Sequence, residues 1–110
     1  AGRIRLAEGD STEIRPGVRV YLGGKHTFAS QYVSAQTAEG RVVIASDNAY
    51  LYENLERRRP IAQTLDSLSN LAAQSRMQRL ATTPRLVVPG HDPAVFDRLP
   101  AAGNGSVAIR

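Results

Sequence analysis

The chain has 110 residues, a formal net charge of +4 at pH 7, 42% hydrophobic residues and no cysteine. A chain of this length is typical of one compact domain, so we treat residues 1–110 as a single unit. Without cysteine it has no disulfide, no thiolate metal ligand and no cysteine nucleophile. No apolar run approaches the ~20 residues that cross a bilayer, so we expect no membrane partner.

The basic residues are scattered along the chain except at residues 57–59, three consecutive arginines preceded by Glu53 and Glu56. Aromatic residues on which bases could stack are few and lie apart from the basic ones, so we expect no nucleic-acid partner. The first residues show no basic segment followed by an apolar stretch, which favours a cytoplasmic location.

Short strands are predicted in the first half of the chain. Residues 3–6 alternate apolar and basic side chains, and residues 13–22 do so on both sides of a Pro-Gly turn signal. Residues 30–37 alternate loosely and lead through a hairpin turn into residues 41–45 (RVVIA). This last β-branched run predicts a strand buried on both faces, and it ends at the polar residues 46–48.

Helices alternate with strands in the second half. Residues 50–59 predict a short helix stopped by Pro60. A longer helix is predicted from Asp66 or Ser67, both good N-caps, to Ala81. We expect this helix to be heavily covered along one wide apolar face, which consists of Leu68, Leu71, Ala72, Met77 and Leu80. The remaining predicted elements are a buried strand at 85–88, helical turns at 93–99, a turn at 103–105 and a strand with Val107 and Ile109. This interleaving predicts an α/β layered fold.

The chain contains only two histidines, and each lies in a glycine-containing turn beside a predicted strand. They are His26 and His91, and Asp47 ends a third strand between them in sequence. Imidazole nitrogens and carboxylate oxygens suit zinc and related metals, and one carboxylate can bridge two ions. Each residue alone is also typical of an ordinary turn. Spacing therefore leaves a metal site and a set of turn residues both open.

Two segments resemble a known family. Residues 46–54 (SDNAYLYEN), followed by Pro-Gly-His-Asp at 89–92, resemble the second half of metallo-β-lactamase superfamily hydrolases, above all their N-acyl-homoserine lactonase branch. In that branch a His-Thr segment, an Asp-x-x-Tyr segment and a Gly-His-Asp turn follow one another in this order. The same order holds here over about residues 18–100.

The resemblance implies half of an αββα sandwich, a mixed sheet covered by helices, with a site for two divalent ions, zinc being favoured. His26 would bind one ion, His91 the other, and Asp47 both. Tyr50 would stabilise the oxyanion when a metal-bridging hydroxide attacks a lactone or ester carbonyl of a small-molecule substrate. Asp92 would orient His91 or a neighbouring backbone group. Tyr50 as a packing residue and Asp92 as a helix N-cap remain alternatives.

The chain departs from the family pattern in three places. The His-Thr segment usually continues Pro-Gly-His but here continues Phe28-Ala29, and the bridging aspartate usually follows glycine but here follows Ser46. The first-half motif His-x-His-x-Asp-His, which supplies most of the protein ligands, is absent.

Because the remaining ligand positions are kept and no initiator methionine is present, we expect a C-terminal half that the N-terminal half of the same domain completes. The alternative is a non-catalytic binding or assembly module that retains the fold without metals, with the arginines at 57–59 as a contact.

Overall fold

The computed structural model describes residues 2–110; residue 1, included in the predicted domain, lies outside the described residues. Five strands form one sheet in the order β1-β2-β3-β4-β5. The strands are β1 Ser11–Arg15, β2 Val18–Leu22, β3 Gln31–Thr37, β4 Gly40–Ile44 and β5 Val87–Val88. The first four pair antiparallel, and β5 pairs parallel with β4.

Three helices and a small hairpin complete the described chain. The helices are α1 Tyr52–Glu56, α2 Ser67–Leu80 and α3 Val95–Arg98, and the hairpin strands are β6 Ala101–Gly103 and β7 Ser106–Val107. Short 3-10 turns lie at Ser46–Asn48 and Pro84–Leu86. None of the helices in residues 2–110 has the length and apolarity needed to cross a bilayer. A mixed sheet with helices confirms the predicted α/β class.

The core lies between the sheet and α2. Tyr21 and Tyr32 are cross-strand partners whose rings stack at 5.1 Å, and Val43 pairs with Val87 further along the sheet. Met77 of α2 is fully buried in the same cluster. Because side chains alternate along a strand, the residues next to these point to the opposite face of the sheet. That second face keeps large apolar side chains partly exposed.

Three strand predictions need correction. Residues 3–6 form no strand, because no neighbouring strand in the described chain pairs with them, and their apolar side chains are exposed. The strand at 41–45 is not buried on both faces throughout, since Ile44 is 40% exposed on the second face. The strand at 85–88 is shorter, because Pro84 starts a 3-10 turn that leaves only β5 extended.

The helix predictions were correct in position but wrong in detail. The helix expected at 50–59 spans only α1, because Arg58 is left-handed (φ 52°) and the Arg59 amide bonds to the Asn54 carbonyl. Helix α2 matches its expected bounds, and the Asp66 side chain caps it by accepting from the Ser69 amide at 3.0 Å.

The expected buried face of α2 was right for Met77 and wrong for Leu68 and Ala72, which are exposed. Leu68 is 79% exposed, whereas the buried residues are Asn70, Ala73, Gln74 and Met77. The two amides can be buried because each finds hydrogen-bond partners inside the protein, which removes the penalty that polar groups otherwise incur. Apolar periodicity does not reveal such a face.

An ion pair ties the segment before β1 to α2, and it makes stability depend on pH. The Arg76 guanidinium donates two bonds to the Asp10 carboxylate, at 2.8 and 2.7 Å. These bonds hold the pKa of Asp10 below its usual range. A carboxyl with a depressed folded pKa stabilises the fold above its unfolded pKa of about 3.9, and this contribution is lost as pH falls through the lower folded value.

We therefore expect Asp10→Asn to lower the free energy of unfolding at pH 7, and the difference from the parent protein to be smaller at about pH 3, below the unfolded pKa of the carboxyl. Urea denaturation at both pH values measures this difference. Asp97→Asn is the control, because Asp97 forms no ion pair in the described residues. An equal difference at both pH values would contradict the assignment.

Candidate metal centre

The sheet topology brings three chemically active loops to one edge. Strands β2 and β4 are both antiparallel to β3, and β5 is parallel to β4, so β2, β4 and β5 run in the same direction. The loops after these strands carry His26, Asp47 and His91 respectively. Loops at one end of a rigid sheet are common positions for binding groups. The structure brings the three side chains into contact there.

Asp47 lies between the two histidines. Its Oδ1 is 2.6 Å from Nε2 of His91, and its Oδ2 is 3.6 Å from Nε2 of His26. Each imidazole therefore faces a different oxygen of one carboxylate. The exposed side-chain fractions are 20% for His26, 43% for Asp47 and 61% for His91, so the cluster opens to solvent on the His91 side.

The other ring nitrogen of His26 is held by the backbone. Nδ1 lies 2.7 Å from the carbonyl oxygen of Gln63. A carbonyl can only accept, so Nδ1 carries a proton, and Nε2, the nitrogen that faces Asp47, is the one that could bind an ion. Histidines that bind metals are commonly fixed in this way, with the distal N–H donated to a carbonyl or carboxylate.

Tyr50 lies between the two imidazoles. Its ring meets those of His26 and His91 edge-on, at centroid distances of 5.9 and 5.1 Å. Its hydroxyl oxygen is 3.3 Å from Nδ1 of His26. Because that nitrogen is protonated, the hydroxyl keeps its own proton free to donate. Burial, and then the negative charge of Asp47, raise the pKa of Tyr50.

Each potential ligand follows a residue with an unusual backbone requirement. Lys25 before His26 has φ 55°, and Ser46 before Asp47 has φ 51°, both in the left-handed region that glycine occupies most easily. Ser46 adopts this conformation although it carries a side chain. A Cβ on Gly90, before His91, would lie 2.5 Å from the carbonyl oxygen of Ser46.

Backbone hydrogen bonds fix the His91 turn against the Asp47 loop. The amides of Gly90 and His91 donate to the carbonyls of Ala49 and Tyr50, both at 2.9 Å.

Asp92 strengthens this connection. Its carboxylate accepts from the amides of Tyr52 and Ala94, each at 2.9 Å, and these two bonds lower its pKa. Its contacts are therefore with backbone groups, and the bond from the Ala94 amide, two residues further on, also suits the alternative of a capping residue before α3.

The donor atoms fit a pair of divalent ions, with one adjustment. Two ligands on one tetrahedral zinc lie ~3.4 Å apart, given bond lengths of about 2.1 Å. The separation of His26 and Asp47, 3.6 Å, already matches this value, whereas His91 and Asp47, at 2.6 Å, must move apart. Within residues 2–110, no three or more His, Cys, Asp and Glu side chains form a group that could hold an ion alone.

Sequence patterns could not predict two groups that support the cluster. One is the Gln63 carbonyl, a backbone atom that leaves no trace in residue type. The other is a buried network of the amide side chains of Asn48, Asn70 and Gln74. The one signal in the sequence is that Asn48 directly follows Asp47, and this pair is equally typical of an ordinary turn.

The arginines at 57–59 are compensated locally. Arg57 and Arg59 both lie near the carboxylate of Glu53, at 3.6 and 3.3 Å, and Arg58 donates to the Ser75 hydroxyl at 3.4 Å. Their charge is therefore balanced in part within the chain, so this cluster gives little support to a separate basic contact surface.

No protein-family model and no curated protein matches the sequence. Solved structures of hydrolases do match the fold. An N-acyl homoserine lactone hydrolase, with the product N-hexanoyl-L-homoserine at its catalytic metal centre, is 20% identical with a TM-score of 0.72, over 89% of this chain and 39% of that chain. A quorum-quenching N-acyl homoserine lactone lactonase is 20% identical with a TM-score of 0.71, over 89% and 41%. A probable metal-dependent hydrolase from Staphylococcus aureus is 15% identical with a TM-score of 0.62, over 79% and 32%.

Identities this low show a common fold. The chain spans about two fifths of the length of the lactone hydrolases that it matches. The resemblance carried by residues 46–54 and 89–92 is thus confirmed at the level of the fold. The chain therefore has the α/β architecture of the corresponding part of these lactone hydrolases, a fold of the metallo-β-lactamase type.

Proposed function

We propose that this chain supplies about half of the active site of a metal-dependent hydrolase that cleaves lactone or ester carbonyls in small molecules. One observation carries the proposal: a single carboxylate, Asp47, turns its two oxygens toward two separate imidazoles at one edge of the sheet. His26, Asp47 and His91 would hold divalent ions such as zinc, for which imidazole nitrogen and carboxylate oxygen are usual ligands. A neighbour of the same fold holds a lactone-derived product at its catalytic metal centre, which supports the reaction class.

The remaining ligands come, in this proposal, from another part of the same domain. The cluster is most open at His91, where such ligands would approach. The sheet face opposite α2 exposes 49% of Leu22 and 40% of Ile44, apolar surface that a second layer would bury. The limited coverage of the matching hydrolases agrees with this division.

The side chains have separate roles in the reaction. When bound, two divalent ions bring the pKa of a water molecule toward neutrality and polarise the substrate carbonyl. Asp47 directs one oxygen toward each imidazole. The Gln63 carbonyl keeps His26 in the tautomer whose Nε2 can bind an ion. The Tyr50 hydroxyl would donate to the carbonyl oxygen as that atom gains negative charge.

A cleft beside the cluster has room for part of a small substrate. It has a volume of about 360 Å³, and Tyr50 and His91 are among the residues that line it. Leu51, Pro60 and Ala62 provide apolar walls. Ligand sites of this kind combine an apolar lining with a few polar groups that fix orientation.

The test is metal analysis and hydrolysis by the complete protein. We expect about two zinc or similar ions per protomer and cleavage of lactones or esters, lost on chelation and restored by added zinc. A panel that also contains thioesters, β-lactams and phosphoesters defines the substrate class. A protein that folds, binds no ion and cleaves none of these compounds would be a binding or assembly module, and the proposal would be wrong.

A further inference from the structure

Asn48 is fully buried, and its side chain uses both polar atoms. Its Oδ1 accepts from the Gly24 amide at 2.7 Å and from the Ser30 hydroxyl at 3.3 Å. Its Nδ2 donates to the carbonyls of Gln31 and Ala45, both at 3.0 Å. Three of these four partners belong to the loop after β2, or to the residue that ends it. The side chain therefore holds that loop against the start of the 3-10 turn that follows β4.

A second layer of amides connects this turn to α2. The Asn48 carbonyl accepts from the side-chain amides of Asn70, at 2.9 Å, and Gln74, at 3.4 Å. Asn70 Oδ1 in turn accepts from Gln74 at 2.9 Å and from the backbone amide of Ile61 at 3.0 Å. The network thus reaches the segment between α1 and α2.

That segment holds His26 from its other side. The Gln63 carbonyl fixes the imidazole through Nδ1 at 2.7 Å. The Leu65 amide donates to the Lys25 carbonyl at 2.8 Å, and the Thr64 hydroxyl lies 3.3 Å from the same oxygen. The amide network therefore fixes both supports of His26: the loop that carries it and the segment that orients its ring.

His91 is positioned by different bonds. The Gly90 and His91 amides donate to the carbonyls of Ala49 and Tyr50, so the turn continues the backbone ladder between β4 and β5. None of these bonds involves the Asn48 side chain. The two histidines are thus held near Asp47 in different ways: buried side chains position His26, and backbone hydrogen bonds position His91.

We propose that Asn48 is a positioning residue for one ion only: it sets the place of His26 relative to Asp47 and does not affect His91. The inference rests on the proposed function, because it assigns His26 and His91 to different ions. It predicts that substituting a residue that contacts neither ion can lower the affinity for one ion and leave the affinity for the other unchanged.

Asn48→Ala in the complete protein tests this. We expect metal titration to show one ion bound as in the parent and the other weakened by about 10- to 100-fold, the range for lost outer-shell supports. In the metal-free protein, hydrogen exchange of the Gly24 amide should become faster, because its acceptor is gone. Thr64→Val is the milder variant and should weaken the same ion to a smaller extent.

Ser34→Ala is the matched control, since Ser34 is buried and its hydroxyl bonds to that of Tyr21 at 3.3 Å away from the site. It should lower stability and leave both ions unaffected. In a His26→Ala background, Asn48→Ala should cause no further loss of metal affinity. Loss of both ions, of neither, or an additive effect in the double variant would overturn the inference.

The histidine variants separate this inference from the proposed function. If His26→Ala and His91→Ala each keep both ions at parental affinity, the proposed metal site is wrong. If each loses an ion while Asn48→Ala and Thr64→Val keep both, the site stands and only the role of Asn48 fails.

Discussion

Asp47→Asn should cause the largest loss of activity of any single substitution in this chain. The amide is neutral and has one oxygen, so it cannot face two cations as the carboxylate does. We expect kcat/KM of the complete protein to fall by at least about 10³-fold, which is about 4 kcal/mol of transition-state stabilisation. The metal content should fall below two ions per protomer. Steady-state hydrolysis and metal analysis of the same preparation measure both effects.

Tyr50→Phe provides the contrasting control for Asp47→Asn. It keeps the ring that packs edge-on against both imidazoles and removes only the hydroxyl. It should retain both ions and lose about 10²- to 10³-fold in kcat, the effect of removing one oxyanion donor. Full activity of folded Asp47→Asn would rule out the hydrolytic mechanism, whatever Tyr50→Phe does.

Gly90→Ala should both destabilise the fold and weaken the proposed metal site. The added Cβ would lie 2.5 Å from the Ser46 carbonyl oxygen and 2.9 Å from its carbon, and these are backbone atoms that cannot swing aside. The turn that carries His91 must then move away from the Asp47 loop. We expect the free energy of unfolding to fall by about 1–3 kcal/mol, as overpacking does elsewhere. The ion held by His91 should be released at lower chelator concentration.

Gly105→Ala separates this clash from the loss of a glycine as such. Gly105 has a positive φ of 71°, but a Cβ added there would meet no atom within 4 Å, so only local strain is expected. Its variant should be destabilised by a local effect and should bind both ions normally. Gly90→Ala with parental stability and metal affinity would mean that the close approach to Ser46 is not needed.

The α/β class, the bounds of α2 and the placement of three polar residues after strands could be predicted from the sequence. These features depend on local patterns: β-branched runs, the Asp66 cap and glycine-containing turns. Local patterns could not predict that His26 lies close to Asp47. Their proximity depends on the directions of β2 and β4 on either side of β3, which is a property of the whole sheet.

Other features had no local pattern to reveal them. Residues 3–6 alternate as a strand does, but alternation becomes a strand only beside a pairing partner. The buried face of α2 contains Asn70 and Gln74, whose burial depends on backbone groups far away in sequence. The Gln63 group that holds His26 is a backbone carbonyl, which every residue type has, so the sequence could not identify it.

The left-handed residues Lys25 and Ser46 have a consequence for how ligands meet this edge of the sheet. Such a backbone costs about 1–2 kcal/mol for a residue with a Cβ, and it persists only where its surroundings enforce it. Here folding itself meets that cost, so the backbone of these two turns does not have to be rebuilt when a ligand binds. Binding must still move His91 and Asp47 apart, but the turns before His26 and Asp47 add little further cost, and preorganisation of this kind favours tight binding.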